Sequence, residues 1–498
     1  MPLPPCRPLA LVALAAVAGG GPSAQPATTG PDPYGALVET NRAQLVALAE
    51  GELLPPGQTR AIARALRQSA ADAGRPGAER SDDYLDLEAD LVARVGPVAS
   101  NLHLGRSRND LGATTTRMAL RAHVLDLLDG VGAARTALHG LAAGHTGTVM
   151  PGYTHAVQAQ PTTLAHVLLA LDASLGRDQD RLREVYARLN RSPLGAGAFT
   201  TSGFALDRTR LAELLGFDGL VENSYDAVMV ATADSKVELA AALGVSAINV
   251  GRFAQSLAFQ YADPAPGLYL SDDATGRSSV MPQKRNPRAV EQLRVSASAV
   301  VGAMHTSTLY AHNTPLYEVR DVRAPHAELL EGAVAEAASM YARLAEVVGG
   351  LVVRPDVLRA QVDADYSTMT ELADALLREA GVPFRTGYAV ASALTTYGRA
   401  EGRRPPDLTH AEVDAVYREV AGDALPLTAA QLSDVFDPAA VVRQRAGTGG
   451  PQPAETRRML AAQRDATAEA AAWVAAERAR LAVVSADLRA RFDALAND

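Results

Sequence analysis

The sequence predicts an all-α protein, with a long central helical bundle and smaller helical N- and C-terminal domains. Three observations lead there. Apolar residues recur at alternating spacings of four and three, as in Leu120, Val124, Leu127, Val131, Ala134, Leu138 and Leu141, and again in Leu330, Val334, Ala337, Tyr341, Leu344 and Val348. That pattern is the seam of long helices packed nearly parallel or antiparallel. Alanine, leucine, valine and arginine dominate while aromatics make up only 5%, which favours helix over sheet. Breaker-rich stretches ("VMPGYTH", "RSPLGAGAF", "DPAPG") punctuate the periodic segments and read as connections.

Taken in order, residues 1–30 read as a signal peptide and flexible start. One early arginine precedes an apolar run from Leu9 to Val17 and then small residues before Gln25, the order of a secretory signal. The expected location is therefore periplasmic or secreted. The run is too short to span a bilayer, and no other stretch is an uninterrupted apolar run of that length. Residues 31–112 form an N-terminal helical domain and residues 113–364 the bundle. Residues 365–498 form a C-terminal helical domain ending in a polar, Ala/Arg-rich tail. The only cysteine, Cys6, falls in the signal segment, which removes disulfides, thiolate metal sites and cysteine nucleophiles from the mature chain. A net charge of −9 argues against nucleic-acid or membrane-surface partners.

Polar residues cluster ahead of the long helices in three places: "HLGRSRND" (103–110), "MPGYTHAVQAQP" (150–161) and "TGRSSVMPQKRNP" (275–287). Backbone N–H groups and the helix dipole favour a bound carboxylate at such positions. Singly they could be a solvated cap, a turn histidine and a surface loop; together their chemistry is compatible with one anionic substrate. Of 47 lysine and arginine residues only Lys236 and Lys284 are lysine. Lys284 falls in the third cluster, whereas Lys236 lies inside a bundle helix, where exchange for arginine is expected to be silent.

These three segments resemble, in order and separation, the signature regions of the argininosuccinate lyase branch of the fumarase/aspartase superfamily. "NSYDAV" (223–228), "ELADALLREAGVPFR" (371–385) and "GTGGPQP" (447–453) support the likeness, which covers roughly residues 35–465. The resemblance implies a homotetramer with active sites built from three subunits, and no metal or organic cofactor. It implies β-elimination on a small-molecule N-substituted aspartate, releasing fumarate. Ser278 would be the base, His155 would act at the leaving nitrogen, and Lys284 with Asn286 would bind the carboxylate that collects charge. Thr154 would hold a carboxylate, and Ser107, Arg108 and Asn109 the succinyl end. Gln160, Ser279 and Arg323 complete the expected substrate contacts.

The departures concern the amine half. Arg277 stands where the family usually has glycine, Leu104 replaces threonine, and Tyr84 replaces a histidine upstream of the first cluster. After Pro315 the chain reads "YEVRDVRAPHAE", with Arg323 and His326 in place of a glutamine and a lysine, and "MVATA" follows Asp226 where the family has "SDRDF". Arg277, Arg323 and His326 are expected to add positive or protonatable groups near the leaving amine, favouring an aminopolycarboxylate adduct. Two other readings stay open: argininosuccinate cleavage proper, and a catalytically inactive structural or binding homologue.

Overall fold

The computed structural model describes residues 32–322 and 324–497. The proposed signal segment and Arg323 lie outside them. The N-terminal part comprises α1 (Pro33–Glu50), α2 (Pro56–Ala73) and α3 (Tyr84–Val95). The bundle contains α4 (Arg108–Gly144), a hairpin β1 (Val149–Thr154) and β2 (Val157–Thr163), and α5 (Leu164–Leu189). It continues through α6 (Arg208–Leu214), α7 (Ala231–Gln260), β3 (Leu268–Leu270), β4 (Gly276–Arg277), β5 (Arg285–Asn286), α8 (Arg288–Ala311), α9 (Ala324–Gly349) and β6 (Leu351–Val353). The C-terminal part holds α10 (Pro355–Asp363), α11 (Met369–Ala380), α12 (Phe384–Ala400), α13 (His410–Ala421), α14 (Ala429–Phe436) and α15 (Pro438–Gln444), followed by α16 (Pro453–Asn497).

The helical class is as predicted. Both seams form the bundle core: Val124, Leu127, Val131, Ala134 and Leu138 of α4, and Leu330 through Val348 of α9, are buried among α5, α7 and α8. Leu141 alone of that first run is half-buried. Local chemistry sets the helix starts. Ser107 caps α4 in a capping box with Asp110, Thr163 caps α5, and proline opens α1, α2 and α10. The stretch Asp226–Gln260 is, by length and composition, long and apolar enough to cross a membrane, a property its scattered charges disguise in the sequence. Here its small residues serve close helix packing, with Gly244 of α7 set against Met304 of α8.

α16 is the element least anticipated. Its 45 residues extend about 67 Å. Leu460 and Val474 enter the bundle core, and Leu488, Phe492 and Ala496 complete the N-terminal core with α1, α2 and α3. The "tail" reads as polar because apolar contacts are spread thinly along it. A separate core gathers α11–α14 around Leu372, Leu376, Leu394 and Phe436.

Candidate active site

The first cluster opens α4. Ser107 Oγ accepts from Asn109 N at 3.3 Å while Asp110 Oδ1 accepts from Ser107 N at 2.8 Å. Asp110 is fully buried, and its Oδ2 accepts from Gly195 N (2.8 Å) and Gly197 N (3.0 Å). Those glycines have φ of 80° and 64°, a conformation that glycine adopts without strain and that here turns successive N–H groups onto the carboxylate. Burial pushes the Asp110 carboxyl up to about 6, against the opposing pull of these backbone donors and of Arg106. Behind the cluster, buried Arg106 bonds Asn41 and lies 4.9 Å above the Tyr84 ring, which stacks on His103 at 4.5 Å. Burial, with Arg106 nearby, lowers His103 to about 4. Tyr84 therefore props the cluster from below.

The second cluster sits at the tip of the β1–β2 hairpin rather than in an irregular connection. Thr154 pairs with Val157, leaving His155 and Ala156 as a two-residue turn with φ of 53° and 60°. Glycine or asparagine usually fills such a turn; an L side chain there stores roughly 1–3 kcal/mol of strain. Thr154, His155 and Gln160 are exposed. The hairpin is braced by Gln158 Nε2 donating to Ser367 Oγ (2.6 Å) and by Tyr153 edge-on to Phe259 near the end of α7.

The third cluster is a loop between α7 and α8, closed at its root where Gly276 pairs with Asn286 and Arg277 with Arg285. Ser278 Oγ accepts from Val280 N (3.3 Å) and Met281 N (3.0 Å). Ser279 and Lys284 are exposed, Ser278 and Asn286 half-buried, and Val280 is 82% exposed at the tip. Arg277 is held in the ribbon beside the serine pair.

The clusters fall at opposite ends of the bundle. Ser107, Arg108 and Asn109 begin α4, whose 37 residues rise about 55 Å before the hairpin is reached. The 271–287 loop shares the hairpin end, because α7 runs back antiparallel to α5 and finishes beside Tyr153. One chain thus holds all three clusters but joins the first to neither of the others.

Comparison with known proteins fits this arrangement. Residues 47–302 match a family model described as lyase, and residues 366–443 that of the argininosuccinate lyase C-terminal region. The argininosuccinate lyase of Methanosarcina acetivorans is 38% identical over 387 residues, 77% of each chain. That of Methanoculleus marisnigri is 36% identical over 440 residues, 86% of this chain and 87% of its own. The chain belongs to the argininosuccinate lyase branch of the fumarase/aspartase superfamily. The crystal structure of EDDS lyase in complex with formate superposes with a TM-score of 0.85 at 30% identity, over 93% of both chains. The Schistosoma mansoni class II fumarase, at 16% identity and a TM-score of 0.66, shares the fold. As a member of this branch, the protein is a carbon–nitrogen lyase that releases fumarate.

In this lyase the expectation for His326 needs correction. His326 is fully buried on α9, its Nε2 2.7 Å from Ser307 Oγ, and burial with the neighbouring Lys236 charge lowers it to about 4. It is a neutral packing residue and offers a substrate no charge. Lys236 is not an indifferent bundle lysine. Only 6% exposed, it lines a cavity of about 300 Å³ together with Arg108, Asn109, Arg117, Tyr317 and Glu318. Tyr317 and Glu318 follow directly on Leu316, whose carbonyl accepts from Tyr225 Oη at 2.6 Å. The cavity wall includes Val228 and Met229 of the π-helical turn Asp226–Val230 that leads into α7. Asn41, Asp110 and Lys236 went unassigned in the sequence. The rarity of lysine was the one signal that could have singled out Lys236.

Proposed function

We propose that this lyase is an exported homotetramer acting on aspartate adducts whose amine half carries further carboxylates. The observation that most supports the substrate class is the likeness to EDDS lyase over 93% of the chain. It coincides with the rewritten 317–328 and 229–233 segments, of which Tyr317, Glu318, Ala327, Met229 and Thr232 line the cavity beside the first cluster. Assembly from several copies follows from the separation of the clusters: antiparallel packing of bundles would bring the α4 start of one copy to the hairpin and loop of others. Val295, Leu309 and Ile248, exposed on the outer faces of α8 and α7, supply apolar surface for that packing.

In the proposed chemistry Ser278 takes the Cβ proton next to a carboxylate, and the electron pair delocalises into that carboxylate. The Cα–N bond then breaks, the Cα=Cβ bond of fumarate forms, and the amine leaves with the bond pair and takes up a proton. A serine hydroxyl is a weak acid. The two N–H donors from Val280 and Met281 point at its oxygen and favour the alkoxide. Lys284 and Asn286 meet the carboxylate as its charge grows, where stabilisation lowers the barrier most. A compact ammonium suits that position better than a planar guanidinium. His155, displayed at the hairpin tip, serves the leaving nitrogen, and Thr154, Ser107, Arg108 and Asn109 clamp carboxylates.

The test is a panel of N-substituted aspartates scored by ultraviolet absorbance of released fumarate, with argininosuccinate included. Ethylenediamine disuccinate is expected to show a higher kcat/KM than argininosuccinate. Efficient argininosuccinate turnover with inert aminopolycarboxylates would reject the substrate assignment.

A further inference from the structure

The cavity beside Arg108 and Asn109 is lined by Lys236, one of only two lysines in a chain with 47 lysine and arginine residues. Burying an ammonium is costly unless anions or hydrogen-bond acceptors compensate it. Among the described lining residues the cations are Arg108, Arg117 and Lys236, and the one carboxylate is Glu318. Arg117 is committed elsewhere: its guanidinium donates to the carbonyls of Arg188, Leu189 and Ala231, tying the end of α5 to the start of α7. Asp226 and Asp234 lie in its field but do not line the cavity. Arg108 belongs to the expected succinyl clamp. Lys236 is the further cation of this lining, which also includes the apolar side chains of Val228, Met229 and Ala113.

We propose that Lys236 is a specificity-determining residue that binds a carboxylate on the amine half of the substrate. The proposal rests on the polycarboxylate reading above. It does not require the ammonium to be otherwise unpaired, because its three N–H donors can serve a cavity residue and a ligand carboxylate together. Neither the position nor the chemistry was assigned to any of the three signature clusters. Lys236, in the second turn of α7, lines the same cavity as Arg108 and Asn109. The cavity volume of about 300 Å³ suits a short aliphatic diamine bearing one carboxylated arm.

Binding of the two products separates this role from a structural one. Calorimetry on the full-length protein would use ethylenediamine monosuccinate as the amine-half probe and fumarate as the other. Lys236→Met should weaken the amine probe roughly 10–100-fold, the loss expected for one charge-assisted contact, with fumarate affinity unchanged. Lys236→Gln, which keeps an N–H donor for the polar neighbours of the ammonium, should do the same and covers the case in which the methionine variant does not fold. Equal weakening of both ligands, or of neither, overturns the role of Lys236. Wild-type protein that binds fumarate but not the amine probe overturns the polycarboxylate reading beneath it. Binding of both probes by the wild type with selective loss in the variants supports both.

Discussion

Ser278 and His326 show how strongly a residue's role depends on its surroundings. Ser278 Oγ is half-buried and its contacts are confined to the N–H groups of Val280 and Met281. Ser278→Ala should therefore leave the melting temperature almost unchanged while lowering turnover at least about 100-fold, as loss of a positioned base does. Turnover near wild type would move the base elsewhere. His326 behaves in the opposite way. Its folded-state value of about 4 lies below the ordinary 6.5 because the ring is buried beside Lys236. The unfolded chain then takes up a proton before the folded one does, so the stability tied to this ring is complete above pH 6.5 and lost as pH falls toward 4. His103, lowered to about 4 by burial, contributes in the same sense. His326→Gln, which keeps a partner for Ser307, should flatten the acid limb of a melting-temperature profile. An unchanged acid limb would mean that neither burial nor Lys236 controls the ring. Motif and residue type were enough to put Ser278 forward as the proposed base; nothing in the sequence distinguished a buried His326 from an exposed one.

At the scale of single elements, the start of α4 and the hairpin carry the site. Asp110 receives four backbone N–H groups, from Ser107, Leu111, Gly195 and Gly197. An asparagine amide would turn N–H toward N–H on one side, leaving two donors without an acceptor. Asp110→Asn should cost about 2–4 kcal/mol in denaturant unfolding and weaken substrate binding through displacement of Ser107 and Asn109. A variant of wild-type stability and affinity would show that the loop 195–197 does not position the cluster. The capping box itself was legible in "SRND", because its hydrogen bonds span only three residues. The hairpin was not: "MPGYTHAVQAQP" has too few apolar alternations to be told from a loop. The ribbon forms there because Val149, Thr163 and Pro161 pack inward at its base while the strained turn projects His155 outward.

For the whole molecule, the decisive quantity is the length of α4. A rise of about 55 Å separates the first cluster from the other two, so variants damaged at different ends should complement one another. Arg108→Ala and Ser278→Ala, each inactive alone, should recover fumarate release when unfolded together and refolded as mixed oligomers. No recovery, with mixed assembly verified by mass spectrometry, would mean that each site is completed within one chain. The same scale explains α16. Its sparse apolar residues reach two cores separated along the bundle, a role that no local window of the tail reveals.

What the sequence determined by itself is what short-range physics encodes. The 3.5-residue seams specified the bundle, the breakers marked the connections between its long helices, and the three signatures specified the lyase branch. Tertiary structure decided the rest, since burial and opposition between distant segments have no local signal. The surroundings of Lys236 and His326 went unread for that reason. The lysine, read as a silent position on a bundle helix, borders the cavity beside Arg108, and the histidine, read as a protonatable group near the leaving amine, is buried against Ser307.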